Sequence, residues 1–450
     1  MKRLITLCVA ILFVSCKKEV KIDYVLFSGK IDNPKQEILT ILKGSKKIKE
    51  VSITNEGTFI DTLKIETGYY NLSHGNETTA MYLSPGDEIN VTLNTEKFDE
   101  TIKYSGLGSE NSNFLAEKYM ANENADINYI ELFSKEETEF LKELNTIKNS
   151  KLEFLKKQKD LDLNFITLEE KNIEYDYLSS IQSYPSAHGY YTKKEDFKPS
   201  LEFLKPLDTI DYNNEVDYNN IDNYKNLVQR YYSNKINETE NPKEVFETIN
   251  KQTFPSLKTD LAKSLSYQIT PNYENNEAYY NGIITMSSDE KFKEDLTNKY
   301  NKVKKLTKGM PSPKFVNYEN HKGGTTSLDD LKGQFVYIDV WATWCGPCIK
   351  EIPSLKKVEK QYHGKNIAFI SASIDREKDH DKWVKMVTDK ELGGIQLMAD
   401  KDWKSLFVTE YAIDGIPRFI LIDPDGNIVS ADAPRPSNPE LIELFDDLKI

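Results

Sequence analysis

The octapeptide Trp341-Ala342-Thr343-Trp344-Cys345-Gly346-Pro347-Cys348 constrains this chain more than any other stretch. It follows an apolar run, Gln334 to Val340, that reads as a strand, and it opens a helical pattern. A Cys-x-x-Cys pair between a strand and a helix has the geometry for thiol–disulfide exchange. The helix N-terminus points unpaired N–H groups and a partial positive charge at the first sulfur, which favours its thiolate. The second thiol lies one turn on, within reach of a mixed disulfide. Half a zinc site has the same spacing, but there is no second Cys pair and the five His residues are scattered, so no metal is expected. A structural disulfide remains the plainer alternative.

The chain has four cysteines. Met1-Lys2-Arg3 followed by the apolar stretch Leu4 to Val14 reads as an export signal, too short to span a bilayer as a membrane helix. It ends in Phe13-Val14-Ser15-Cys16, which resembles a bacterial lipobox with a loose first position. That resemblance implies cleavage before Cys16 and acylation of its thiol; a plain secretory signal with an incidental Cys is the alternative. Cys8 leaves with the signal, so Cys345 and Cys348 are the pair that remains. An exported chain that keeps one pair, in such a motif, uses it for chemistry rather than as a staple. The net charge is −13 with both signs interspersed, so no basic stripe is offered to nucleic acid.

Length suggests about three domains. After a signal (1–15) and a tether (16–22), residues 23–106 show short β runs: 24–27, 38–42, 51–53, 58–60, 81–83 and 89–93. Asn33-Pro34, Asn55-Glu56-Gly57 and Ser84-Pro85-Gly86-Asp87 punctuate them, and this spacing predicts a β-sandwich. Residues 107–308 read as mainly helical, with Ser134 and Glu137 as a capping-box start before the apolar positions Leu141, Leu144, Ile147, Leu152 and Leu155. Tyrosine is abundant there, and amphipathic packing explains it better than a partner-binding surface. From 309 to 450, apolar strands alternate with helical segments. Strands are expected at 334–340, 367–374, 418–422 and 428–431, and helices at 348–362, 383–389, 406–411 and 439–448. The fold class expected is multidomain: an N-terminal β-sandwich, a helical middle region and a C-terminal α/β domain.

The last segment, 309–450, resembles the thioredoxin superfamily, and within it the TlpA-like membrane-anchored reductases. Besides the Cys pair, Asp339 stands six residues before Cys345, where the family keeps a buried carboxylate, and Pro353 five residues after Cys348, where it kinks the helix. Gly415-Ile416-Pro417 resembles the Gly-Ile-cis-Pro loop facing the disulfide, and Glu351 matches an active-site Glu of the membrane-anchored members. One departure is clear: Ser371 stands where thioredoxins usually place a Lys beside the buried Asp. Without that cation Asp339 has less reason to ionise. The β-domain resembles one that often precedes TlpA-like domains, with no chemistry implied.

The resemblance implies a redox disulfide, Cys345–Cys348, and no other cofactor. Cys345 is the attacking nucleophile and Cys348 resolves the mixed disulfide, with Asp339 or Glu351 accepting or relaying its proton. Asp339 could instead be a satisfied strand residue, and Glu351 an exposed helix carboxylate. Trp344, Gly346, Pro347, Ile416 and Pro417 are the expected substrate-binding residues, Ile416 offering its backbone to an extended segment; Trp341 reads as structural. Gly346-Pro347 resembles reducing thioredoxins, placing the couple toward the low end of roughly −270 to −120 mV. The expected setting is the periplasmic side of a Gram-negative cell envelope, with a lipid anchor at Cys16, disulfide-bearing protein substrates and a membrane-bound electron donor. Two other classes stay open. One is a redox-idle binding lipoprotein whose first two domains recognise a partner. The other is a peroxidase, disfavoured because Thr343 precedes Cys345 by only two residues.

Overall fold

The computed structural model describes residues 22–194, 196–271 and 273–450, so the signal and Cys16 lie outside the described residues. The chain folds as two compact units, one running to Leu227 and the other spanning Val228–Ile450.

Eight strands open the first unit: β1 Val25–Asp32, β2 Ile38–Lys43, β3 Lys46–Ser52, β4 Thr58–Leu63, β5 Gly68–His74, β6 Glu77–Leu83, β7 Glu88–Asn94 and β8 Lys103–Ser105. They form two four-stranded sheets, ordered β4-β1-β7-β8 and β3-β2-β5-β6. All pairings are antiparallel except β1 with β7. Alternating side chains from both sheets, among them Val25, Phe27, Leu39, Ile41, Leu72 and Val91, enclose one apolar core. The turn before β4 needs glycine: Gly57 has φ +81, and a Cβ there would lie 2.1 Å from the Ile31 carbonyl oxygen.

The helices that follow in this unit include Ser109–Asn124, Tyr129–Ser134, Glu137–Lys157 and Leu163–Thr192. The reciprocal cap expected of Ser134 and Glu137 does not form. Ser134 ends the Tyr129–Ser134 helix, its hydroxyl donating to the Ile130 carbonyl, and the next helix starts at Glu137 with Glu136 as its N-cap. Asn128, whose side chain accepts the Glu131 N–H, caps the earlier helix, while Glu136 makes no side-chain cap bond at the start of the later one. Tyr184 serves packing, buried against Phe140, Phe203 and His188 with its hydroxyl donating to the Lys135 carbonyl, whereas Tyr190 and Tyr191 are exposed.

In the second unit the helices Pro242–Gln252, Pro255–Leu265, Asn276–Met286 and Glu290–Val303 precede seven strands: β9 Tyr318–Asn320, β10 Thr325–Thr326, β11 Phe335–Trp341, β12 Ile367–Ser373, β13 Ile395–Met398, β14 Arg418–Ile422 and β15 Ile428–Ser430. They make one sheet, ordered β10-β9-β13-β12-β11-β14-β15, with β11 parallel to β12 and antiparallel to β14. Helices Gly346–Gln361, His380–Asp389 and Glu440–Asp447 accompany it. One apolar cluster, around Tyr337, Leu355, Val358, Phe419 and Phe445, lies between the sheet and the Gly346–Gln361 and Glu440–Asp447 helices. A second, around Ile338, Val340, Trp383, Leu397, Phe407 and Ile420, fills the other side. Strand β13 was not expected from the sequence: it is four residues long, and Gln396 interrupts its apolar run. This is the thioredoxin-like arrangement of a mixed central sheet flanked by helices.

Candidate active site

Strand β11 is central, and every residue after Phe335 is buried. It delivers the chain at Trp341 to a tight connection, Ala342-Thr343-Trp344, before the Gly346–Gln361 helix. The connection is clamped by Asp375, a buried carboxylate just beyond β12. Asp375 accepts the Thr343 N–H at 2.9 Å, the Thr343 hydroxyl at 2.7 Å and the Ser373 hydroxyl at 2.6 Å. The Ile374 N–H donates to the Trp341 carbonyl at 2.9 Å, tying the same two chain ends together.

Cys345 is the N-cap of the helix that follows, with Pro347 in its first turn. The Cys345 sulfur takes the place of a capping oxygen: the Cys348 N–H donates to it at 3.1 Å. Cys345 and Cys348 form a disulfide with their Cα atoms 5.3 Å apart. Both cysteines are buried, yet the ground around them is open: a Cβ placed on Gly346 or Gly415 would meet nothing within 4 Å. Trp344 is 57% exposed, its ring 6.4 Å from that of Trp403. The Ile416–Pro417 peptide is cis. Pro353 lies inside the helix, which continues past it to Gln361.

The two carboxylates singled out from the sequence end in different environments. Asp339 is buried on β11, opposite Ser371 on β12 and Phe419 on β14. One of its oxygens, Oδ1, has no hydrogen-bond partner among the described residues. Burial, followed by the nearby charges of Glu351 and Glu359, pushes its carboxyl up to about 8. Glu351 is also buried, so it is not an exposed helix carboxylate, and it is held by Ser437, which donates its N–H at 3.0 Å and its hydroxyl at 2.8 Å.

Residues the sequence did not single out complete the site. Asp375 holds the active-site connection, and a polar residue at the end of a parallel strand is the signal that could have found it. Glu359, half-buried on the active-site helix, is pushed up to about 7 by burial, against the pull of Lys356. Arg418 follows the cis proline and lies buried with its guanidinium 3.1 Å from the Asp432 carboxylate, close enough for an ion pair but not aligned as a hydrogen bond. Among the described residues no group of three or more His, Cys, Asp or Glu side chains is placed to hold a metal ion.

Comparison with known proteins follows this geometry. The Redoxin family model matches residues 307–444. The thiol-disulfide oxidoreductase ResA of Bacillus thuringiensis is 31% identical over 125 residues, which cover 28% of this chain and 69% of that protein. Its namesake in Bacillus cereus is 32% identical over 126 residues, with 28% and 69% covered. The chain belongs to the thioredoxin-like thiol-disulfide oxidoreductases. Among solved structures, the thioredoxin domain of a thiol-disulfide oxidoreductase from Bacteroides vulgatus is 30% identical, covering 32% of this oxidoreductase and 98% of that chain, with a TM-score of 0.29. In the oxidoreductase the shared segment is the one that carries Cys345 and Cys348, while the β-sandwich and the first helices lie outside it.

Proposed function

We propose that this oxidoreductase reduces protein disulfides on the outer side of a bacterial membrane, exchanging its Cys345–Cys348 dithiol with the substrate. The observation that carries the reading is the disulfide at a helix N-terminus with Cys345 as the cap and unobstructed ground at Gly346 and Gly415. In the dithiol form the Cys345 thiolate, favoured by the helix N-terminus, attacks a substrate disulfide; one substrate sulfur leaves as thiolate and a mixed disulfide forms. Cys348 then gives up its proton and attacks Cys345, closing the Cys345–Cys348 bond as the second substrate sulfur departs. Two electrons have moved to the substrate. A membrane-bound donor restores the dithiol. Asp339 acts as proton acceptor for Cys348, and Trp344, Gly346, Pro347, Ile416 and Pro417 form the substrate platform. Glu351 fixes the helix to the Ser437 segment and serves the site through that tie. Gly346-Pro347 favours the reducing direction.

The anchor in this reading is Cys16, acylated after removal of residues 1–15. Acyl chains contribute about 0.8 kcal/mol per buried CH₂, and a single chain holds only marginally, so the several chains of a lipoprotein are what keep the protein at the surface. Among the described residues no helix is long and apolar enough to cross a membrane.

Insulin reduction tests the chemistry: the dithiol form turns over, Cys345→Ser does not, and Cys348→Ala accumulates mixed disulfides with its partners. Turnover undiminished in Cys345→Ser would sink the assignment. For the anchor, Cys16→Ser should move the protein from the membrane pellet to the soluble fraction with its exchange chemistry intact.

A further inference from the structure

Beneath the disulfide-bearing helix lies a small cavity that the mechanism above does not use. Asp339, Trp341, Lys356, Glu359, Ser371 and Gln396 contribute to its wall, and it leaves about 10 Å³ in which the centre of a water molecule can sit. That is room for one water. Three buried polar atoms in its lining residues lack a hydrogen-bond partner among the described residues: Asp339 Oδ1, Trp341 Nε1 and Gln396 Oε1. Ile352, Leu355 and Leu392 supply the apolar remainder of the wall. Buried polar groups are rarely left unsatisfied, and three from the lining of one small cavity ask for a shared partner.

Glu359 is fitted into this place by its neighbours. A Cβ on Gly393 would lie 2.2 Å from Glu359 Oε2, and one on Gly394 would lie 3.0 Å from Oε1. The carboxylate therefore rests against the bare backbone of the Gly393–Gly394 turn. Asp339 is buried at 7% exposure, whereas Glu359 is half-buried and reaches water. Among the described residues, the charged groups that bear on the pair come from the active-site helix, Glu351, Lys356 and Glu359 itself, and the buried phenol of Tyr337 on β11 is a further titratable group that Asp339 influences. Strands β12 and β13 contribute only the neutral Ser371 and Gln396, so no cation stands beside Asp339 from the sheet.

We infer that Glu359 is a positioning residue for the exchange, joined to Asp339 by one bound water in their shared cavity and passing the Asp339 proton to and from solvent. The inference rests on the reading of Asp339 as acceptor for Cys348. Asp339 first loses its own proton through the water to Glu359 and on to solvent; when Cys348 then closes the disulfide, its S–H bond breaks and the proton goes to the vacated Asp339 carboxylate. The Cys345–Cys348 bond forms as the bond from Cys345 to the substrate sulfur breaks, and the substrate leaves as thiolate. Asp339 then passes its proton through the water to Glu359, which releases it to solvent. The two carboxyls hold protons about equally well near neutrality, so neither transfer is steeply uphill.

Two measurements on the full chain test this. The first follows the Asp339 carboxyl titration by ¹³C NMR with labelled aspartate, assigned with Asp339→Asn. Glu359→Gln, which keeps shape and removes charge, should lower the Asp339 midpoint by about one pH unit, and Glu359→Asp should restore it. The second follows release of 2-nitro-5-thiobenzoate from a mixed disulfide on Cys345. Glu359→Gln should slow that step about tenfold near neutral pH, less than the ~10²–10⁴ of a group acting on the reacting atoms, with the alkylation rate of Cys345 unchanged. An unmoved Asp339 midpoint overturns the link, and a moved midpoint with unchanged release overturns the relay. A protein that releases no thiobenzoate at all would instead undo the proposed exchange, and the titration would still judge the link.

Discussion

The N-terminal sandwich and the C-terminal sheet are both built from short strands, yet they treat polar groups in opposite ways. In the sandwich the strands alternate, with one face inward and one outward, as in β7 with its regular exchange of exposed and buried positions. Its buried histidine is fully occupied: His74 accepts the Lys35 N–H at 2.9 Å and faces the Ile38 carbonyl at 3.2 Å. In the second unit β11 and β14 are buried on both faces, and a carboxylate on β11 has no outward side to escape to. Asp339 is therefore pushed toward its neutral form by burial. The difference teaches where a carboxyl can be held toward its neutral form: in a strand covered on both faces.

Three changes would break or sharpen this contrast. The largest effect is expected at Asp339. Its folded-state value is raised to about 8 from 3.8, so between those limits the native state binds the extra proton and stability falls as pH rises. Asp339→Asn should match the wild type near pH 4 and exceed it increasingly up to pH 8, by an upper bound of about 6 kcal/mol at roughly 1.4 kcal/mol per unit. Urea denaturation across that range reads the difference, and parallel curves for the two proteins would mean that Asp339 ionises freely.

Next comes Phe27, buried in the sandwich with its ring 5.3 Å from that of Phe59. Phe27→Ala should cost about 3–5 kcal/mol of stability by leaving a cavity, while disulfide exchange per folded molecule stays at the wild-type rate. A fall in that rate would show that the sandwich supports the chemistry and erase the contrast. The smallest effect belongs to the Lys47–Glu50 pair on β3, 2.6 Å apart but about half exposed on both sides. Lys47→Ala should change stability by no more than about 0.5 kcal/mol and less in high salt; a larger loss would mark that sheet face as an interface.

Legibility in the sequence followed range. The octapeptide, the strand before it and the helix after it are contiguous, so local signals located the cysteine pair and its setting. In the sandwich, strong alternation and Asn-Pro, Glu-Gly and Pro-Gly turns marked most strands, but no run was marked for β5 at Gly68–His74, and β8 is too short at Lys103–Ser105 to carry a period. Ser134 misled because side chains that cap a helix can equally donate back into one, and it does the latter. The tertiary part of the site was hidden. Glu359 owes its place to Gly393 and Gln396, more than thirty residues away. Asp375 acts on Thr343 across the sheet, 32 positions earlier. Only the register of β11 against β12 brings those partners together, and no window of sequence contains both.

Trp344 stands in solvent one residue before Cys345, with Trp403 nearby. An indole beside a disulfide loses its excited state to the S–S bond and emits again when that bond opens. The chain thus carries its own optical gauge: the colourless change from disulfide to dithiol should be visible as brightening ultraviolet emission, in real time and without a dye, and Trp344→Phe should darken the signal without stopping the exchange.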